Sequence, residues 1–132
     1  MMLGQSTWGA GEDVPPEIGR PHRVVLHLNS GDEKVQRGVL NNIKNLYQEF
    51  SPQSLTVELV VHGAGLPLLI KKGRLFTAEL TELRQAYGVN YTACSNTMKV
   101  TREDLINEVG DTVSAMVRLM ERQEQGRVYI KP

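Results

Sequence analysis

The chain has 132 residues, with fifteen basic and fifteen acidic side chains that cancel to a formal net charge of zero. That length fits one domain able to bury a core without staples, and the charge balance, with no basic stripe or acidic tail, gives no reason to expect nucleic acid or an anionic membrane as partner. The single cysteine excludes an intramolecular disulfide, and no apolar run approaches the roughly 18 residues needed to cross a bilayer.

Residues 1–21 are rich in Gly, Pro and small side chains and show no apolar period. They read as a flexible arm, which goes with a cytoplasmic protein. A second reading is a signal-peptide remnant cut near Gly9-Ala10, which goes with a periplasmic one. Trp8, the lone tryptophan, is the one residue in this stretch able to anchor it. Residues 22–132 form a single α/β domain in either case.

Val24-Val25-Leu26-His27-Leu28 is a β-branched apolar run, so it reads as a buried strand that turns at Asn29-Ser30-Gly31. Ser30 with Glu33 forms a capping box for the helix that follows. That helix carries Val35, Val39, Ile43, Leu46 and Phe50 on one face and stops at Ser51-Pro52. A second strand spans 55–61 and ends in His62-Gly63-Ala64-Gly65. A short helix is expected over 66–71 and a longer one over 76–87, closed by Gly88. Val89 to Ala93 reads as a third strand, ending in Cys94-Ser95-Asn96-Thr97. Thr101 with Asp104 resembles a helix cap before Leu105-Ile106. A strand near Glu108 to Thr112 is interrupted by Gly110-Asp111. Val113, Met116, Val117 and Met120 mark a last amphipathic helix, with Met116 and Met120 expected in the core. Gly126 ends that helix and Val128-Tyr129-Ile130 is a terminal strand.

Strands alternating with helices imply right-handed βαβ crossovers. The expected fold is a three-layer α/β/α sandwich on a mostly parallel sheet of about five strands. Ligands bind such sheets beyond the carboxyl ends of the strands. Three of these ends are small and polar, so Asn29, Ser30, Gly31, Gly63, Ser95 and Asn96 are candidate ligand-binding residues on one rim.

Cys94 is the candidate nucleophile. At a strand end facing the next helix N-terminus, its thiolate would be held by backbone N–H groups. The alternative is a small buried hydrophobe. His62, also at a strand end, is placed to orient or deprotonate a thiol, or else bonds only to turn backbone. His27, inside a strand, reads as packed. Gly63-Ala64-Gly65 opens like a dinucleotide fingerprint but has Leu68 at the third glycine position. No cofactor is expected. One Cys and three scattered His lack metal-ligand spacing, so no metal is expected either. Asn90-Tyr91-Thr92 matches a glycosylation sequon but falls inside a strand.

Val24-Val25-Leu26-His27-Leu28-Asn29-Ser30-Gly31-Asp32, Val39-Leu40-Asn41-Asn42-Ile43, Leu59-Val60-Val61-His62-Gly63, Ala93-Cys94-Ser95-Asn96-Thr97 and the ending from Gly126 to Pro132 together resemble the DsrE/DsrF-like family over about residues 23–132. The resemblance implies a compact α/β sandwich that forms homo-oligomers, often trimers or hexamers. It also implies sulfur relay, in which a cysteine carries a persulfide between donor and acceptor proteins. Cys94 stands where this branch of the family places its cysteine. The competing function class is a non-catalytic oligomeric binding module. The apolar cluster Leu66, Leu68, Leu69 and Ile70 reads either as a subunit contact or as packing under the domain itself.

Overall fold

The computed structural model describes residues 21–72, 75–97 and 102–132. The arm, Trp8 and the Thr101 cap lie outside the described residues.

Five strands are linked into one parallel sheet: β1 (His22–Leu28), β2 (Leu55–Val61), β3 (Asn90–Cys94), β4 (Val109–Val113) and β5 (Val128–Ile130). Their spatial order is β4-β3-β2-β1-β5. The helices are α1 (Glu33–Glu49), α2 (Thr77–Tyr87) and α3 (Ala115–Glu124). The sheet is wholly parallel, and the layering is the expected three-layer sandwich. Central strands covered on both faces need apolar side chains on both, which is why β1 and β2 read as near-continuous apolar runs.

The two faces of the sheet are unequal. Val24, Leu26, Leu28, Val57, Leu59, Val61, Tyr91 and Ala93 join the main core with residues of α1, α2 and the segment between β2 and α2. The opposite face holds a smaller core of Val25, Val60, Cys94, Ala115 and Leu119, and α3 packs across β1, β2, β3 and β5 there. One ten-residue helix covers that face, and at its upper end Cys94 is 5% exposed.

Several local expectations are corrected. The cap of α1 is Asp32, whose Oδ1 accepts from Lys34 N at 2.8 Å, not Ser30. Ser30 Oγ is already engaged two residues on, accepting from Asp32 N at 3.1 Å, so it cannot reach the third helical N–H. The buried stripe of α1 is Gln36, Val39, Leu40, Ile43 and Tyr47, with Val35 and Phe50 exposed at its edges. Gln36 is tolerated inside because its Nε2 donates to Ser30 O at 3.0 Å.

The segment expected as a helix over 66–71 is a 3₁₀ helix over Gly63–Leu69. Leu66, Leu68 and Leu69 are buried and Ile70 packs partly against the main core, so this cluster is not an exposed subunit contact. Arg102–Asp104 is a single 3₁₀ turn rather than a helix start, and Leu105 forms an isolated bridge with Ile70. β1 opens at His22, two residues before the apolar run at Val24.

The interruption at Gly110-Asp111 is a register shift in β4. Tyr91 pairs with Val109, and Thr92 then pairs with Asp111, so Gly110 is the extra residue. On α3 the buried residues are Ala115 and Leu119. Met116 and Met120 are 56% and 52% exposed, not core.

Candidate functional site

Because β1, β2 and β3 are neighbours, their three polar ends meet on one rim, as the sequence pattern implied. The contact is close. A Cβ on Gly31 would meet Ala64 O at 2.9 Å, so only glycine lets the loop after β1 lie against the loop after β2. Gly63 has φ +56° and donates its N–H to Thr97 Oγ1 at 3.1 Å, joining the loop after β2 to the loop after β3.

Cys94 ends β3 with its side chain under the start of α3. Ala115 N donates to Cys94 Sγ at 3.3 Å. Ser114, the N-cap residue, makes no side-chain cap bond, and the thiol instead accepts from the first N–H of the helix, one of the donors that has no partner within the helix. Burial raises the thiol pKa. The N–H of Ala115, the hydroxyl and N–H of Thr97 and the N–H of Asn96 outweigh it and hold the thiol below its ordinary value. A helix N-terminus with several N–H donors stabilises negative charge, and here that charge is on sulfur.

Ser95 serves this geometry through its backbone, and Asn96 through both its backbone N–H and its side chain. Ser95 N continues the ladder to Val113 O at 2.9 Å, and Asn96 Nδ2 donates to Ser114 Oγ at 3.4 Å. Ser30 and Gly31 support the rim by loop packing rather than by presenting free groups. The Cβ of Asn29 lies 4.0 Å from where a side chain on Gly63 would begin.

His62 has a different partner from the one expected. Its Nε2 lies 2.6 Å from Nε2 of His27, and the rings stack at 4.8 Å with 21° between planes. His27 Nδ1 in turn lies 2.7 Å from Tyr129 Oη. Among the described residues no hydrogen bond joins His62 to Cys94. Both imidazoles are held below the ordinary histidine pKa. For His27 the causes are burial, then His62, then Lys131; for His62 they are burial, then Lys131. They are therefore neutral near pH 7.

No family model and no curated protein matches the chain. Among solved structures, MTH1491 from Methanobacterium thermoautotrophicum, a protein of unknown function, is 30% identical with a TM-score of 0.77, over 84% of this chain and 99% of that one. The chain belongs to the MTH1491 family.

Sequence reasoning about this MTH1491-family chain missed His27 and Tyr129. His27 sits in a five-residue apolar run, and nothing in that run signals a polar partner. The signal was positional: β1 places His27 on the same face as Val25, and β5 pairs with β1, so Tyr129 falls beside Val25. Glu58 was missed for the same reason. It is 1% exposed in β2. Its Oε1 accepts from Arg122 Nε, and its Oε2 accepts from Arg118 Nη1 and Thr92 Oγ1, all at 2.6 Å. On the α3 face of the sheet Glu58 is level with Val25, Val60 is level with His27 and Thr92 above them, and His62 and Cys94 lie at the strand ends. Met116, Leu119, Met120, Gln123, Glu124 and Tyr129 line a shallow basin beside His27. Among the described residues no helix is long and apolar enough to cross a membrane, and no cluster of three or more His, Cys, Asp or Glu is grouped to hold a metal.

Proposed function

We propose that this protein carries sulfur as a persulfide on Cys94, taking it from a donor protein and passing it to an acceptor. The observation that carries the reading is the setting of Sγ, bonded to Ala115 N at the start of α3 with its pKa held down. A carrier thiol must be a thiolate to attack a sulfane sulfur, and it must remain a good leaving group when the sulfur is handed on. The resemblance of the residues around Cys94 to the DsrE/DsrF-like family supports the same reading.

Incubation with glutathione persulfide followed by intact-mass spectrometry tests it. The expected product gains the mass of one sulfur atom and loses it to reductant, and Cys94→Ser gives no adduct. Wild-type protein that stays unmodified would leave the non-catalytic binding module as the better description.

The carrier is proposed to act as a homo-oligomer, of the trimeric or hexameric order the resemblance implies, joined through α3 and β5. Met116, Val117 and Met120 are exposed on α3, and Val128 and Ile130 are exposed on the other face of β5, the sheet's edge strand beside β1. Apolar residues gathered on a helix and an adjoining edge strand favour contact with another chain over exposure to water.

A further inference from the structure

Three side chains from three strands or their ends form one hydrogen-bonded line: Tyr129 Oη to His27 Nδ1 at 2.7 Å, and His27 Nε2 to His62 Nε2 at 2.6 Å. Two imidazole nitrogens this close share one hydrogen, since two N–H groups would clash and two lone pairs would repel. For neutral rings the line has only two arrangements. In the first, Tyr129 O–H donates to His27 Nδ1, His27 Nε2–H donates to His62 Nε2, and His62 keeps its proton on Nδ1. In the second, every donor is reversed: His62 donates from Nε2, His27 donates from Nδ1 to Tyr129 Oη, and His62 Nδ1 is bare.

Passing from the first to the second releases a proton from His62 Nδ1 and admits one at Tyr129. Neither ring need become a cation along the way. That matters because burial and the Lys131 charge disfavour the cation on both rings. The ends of the line are suitably placed. Tyr129 is 37% exposed on the edge strand, beside the basin that also holds Glu124. His62 is half-buried on the rim, its Nδ1 has no hydrogen bond among the described residues, and the next residue, Gly63, bonds to the Thr97 hydroxyl beside Cys94.

We infer that Tyr129, His27 and His62 form a proton wire that delivers a proton to the rim when sulfur is transferred to Cys94, an inference that rests on the proposed carrier role. The Cys94 thiolate attacks the outer sulfur of a donor persulfide, R–S–SH. The Cys94 S–S bond forms, the donor S–S bond breaks, and its electron pair stays on R–S⁻. His62 Nδ1–H protonates this leaving thiolate to R–SH. His27 resupplies His62, Tyr129 resupplies His27, and water resupplies Tyr129. One thiolate, one persulfide and one proton become Cys94–S–SH and R–SH, with no net oxidation. Glu124 and Tyr129 are the titratable groups on the basin side of His27, and Lys131 is the charge that acts on both rings. His27 and Tyr129 are positioning residues, because they act through His62.

Tyr129→Phe tests the inference on the full chain, because it removes one exposed hydroxyl and keeps the ring. Cys94 loading by glutathione persulfide is expected to slow about tenfold or more, as loss of a general acid's supply does. Alkylation of Cys94 by iodoacetamide, which needs no proton delivered, should be unchanged. The ¹⁵N resonance of His62 Nδ1, two side chains away, is expected to shift. His27→Gln should slow loading at least as much. Unchanged loading in Tyr129→Phe overturns the wire. Should wild-type protein not load at all, the carrier reading fails instead. The ¹⁵N arm then decides the wire alone: an unmoved His62 signal overturns it, and a moved one upholds it.

Discussion

The charged and titratable groups under α3 decide stability residue by residue. Glu58 is fully buried and accepts from two arginines and a threonine. Burial pushes its pKa up, but the bonds from Thr92, Arg118 and Arg122 outweigh that and hold the carboxyl below its usual range. Removing one partner of a buried ion pair leaves the other charges uncompensated, so Glu58→Ala should cost about 3–5 kcal/mol in urea unfolding. Arg127 makes the upper end the expectation, since its Nε and Nη1 are buried without partners and Glu58 is an opposite charge acting on it. The histidines give a pH dependence of definite sign. Both have folded-state pKa values below the ordinary 6.5. The unfolded chain therefore binds more protons as the pH drops, so their contribution is complete above about pH 6.5 and is lost progressively below it. The melting temperature should fall between about pH 7.5 and about pH 5.5, and His27→Gln should flatten that fall; an equal slope in the variant would show that other groups set it. Residues such as Cys94 and His62 were legible as candidates because strand ends are visible in sequence. Their partners were not, because which strands lie side by side is a property of the sheet and not of any local window.

At the scale of elements, strands were more legible than helix faces. The strands at Leu55–Val61 and Val128–Ile130 have the expected bounds, since an apolar run between turns has few alternatives. The helix faces were less legible. Gln36 and Tyr47 lie on the buried stripe of α1 with polar tips satisfied by Ser30 O and Leu55 O, so a count of apolar residues shifts the stripe toward Val35 and Phe50. The structure separates the two assignments energetically. Ile43 is wholly buried and Val35 is at the edge. Ile43→Ala should therefore cost about 2–5 kcal/mol, and Val35→Ala about 0.5 kcal/mol or less. Comparable losses in chemical denaturation would mean that the sequence-derived stripe is the buried one. In α3 the same ambiguity has a functional meaning. Ala115 and Leu119 face the sheet, and the two methionines face away, toward the basin beside His27. Helical period alone assigns apolar residues to a face and does not say whether the cover on that face is this domain or another chain.

At the scale of the whole molecule the two sheet faces are covered to different extents, and the proposed assembly follows from that difference. The α1–α2 face has two helices and the 3₁₀ segment over it, including the Leu66, Leu68 and Leu69 cluster that its sequence made look like a contact surface. The other face has α3 alone, which leaves Met116, Val117 and Met120 each about half exposed. Joining two such patches removes apolar surface from water at about 25 cal/mol per Å², and a stable contact needs roughly 800 Å² from each partner. Met120→Glu places a charge at the centre of this patch while leaving the buried residues of α3, Ala115 and Leu119, untouched. Light scattering at micromolar concentration is expected to give a multiple of the 14.7 kDa chain mass for the wild type and a monomer for the variant. The monomer should keep its far-ultraviolet circular dichroism, because the substituted side chain lies outside the core. A wild type that is monomeric across the concentration range would refute the assembly. A variant that stays oligomeric would move the interface away from α3. Cys94 and the histidine line are held by contacts within one chain, so alkylation of Cys94 should proceed equally in the dissociated variant. A thiol that reacts only in the oligomer would show that a second copy completes the rim.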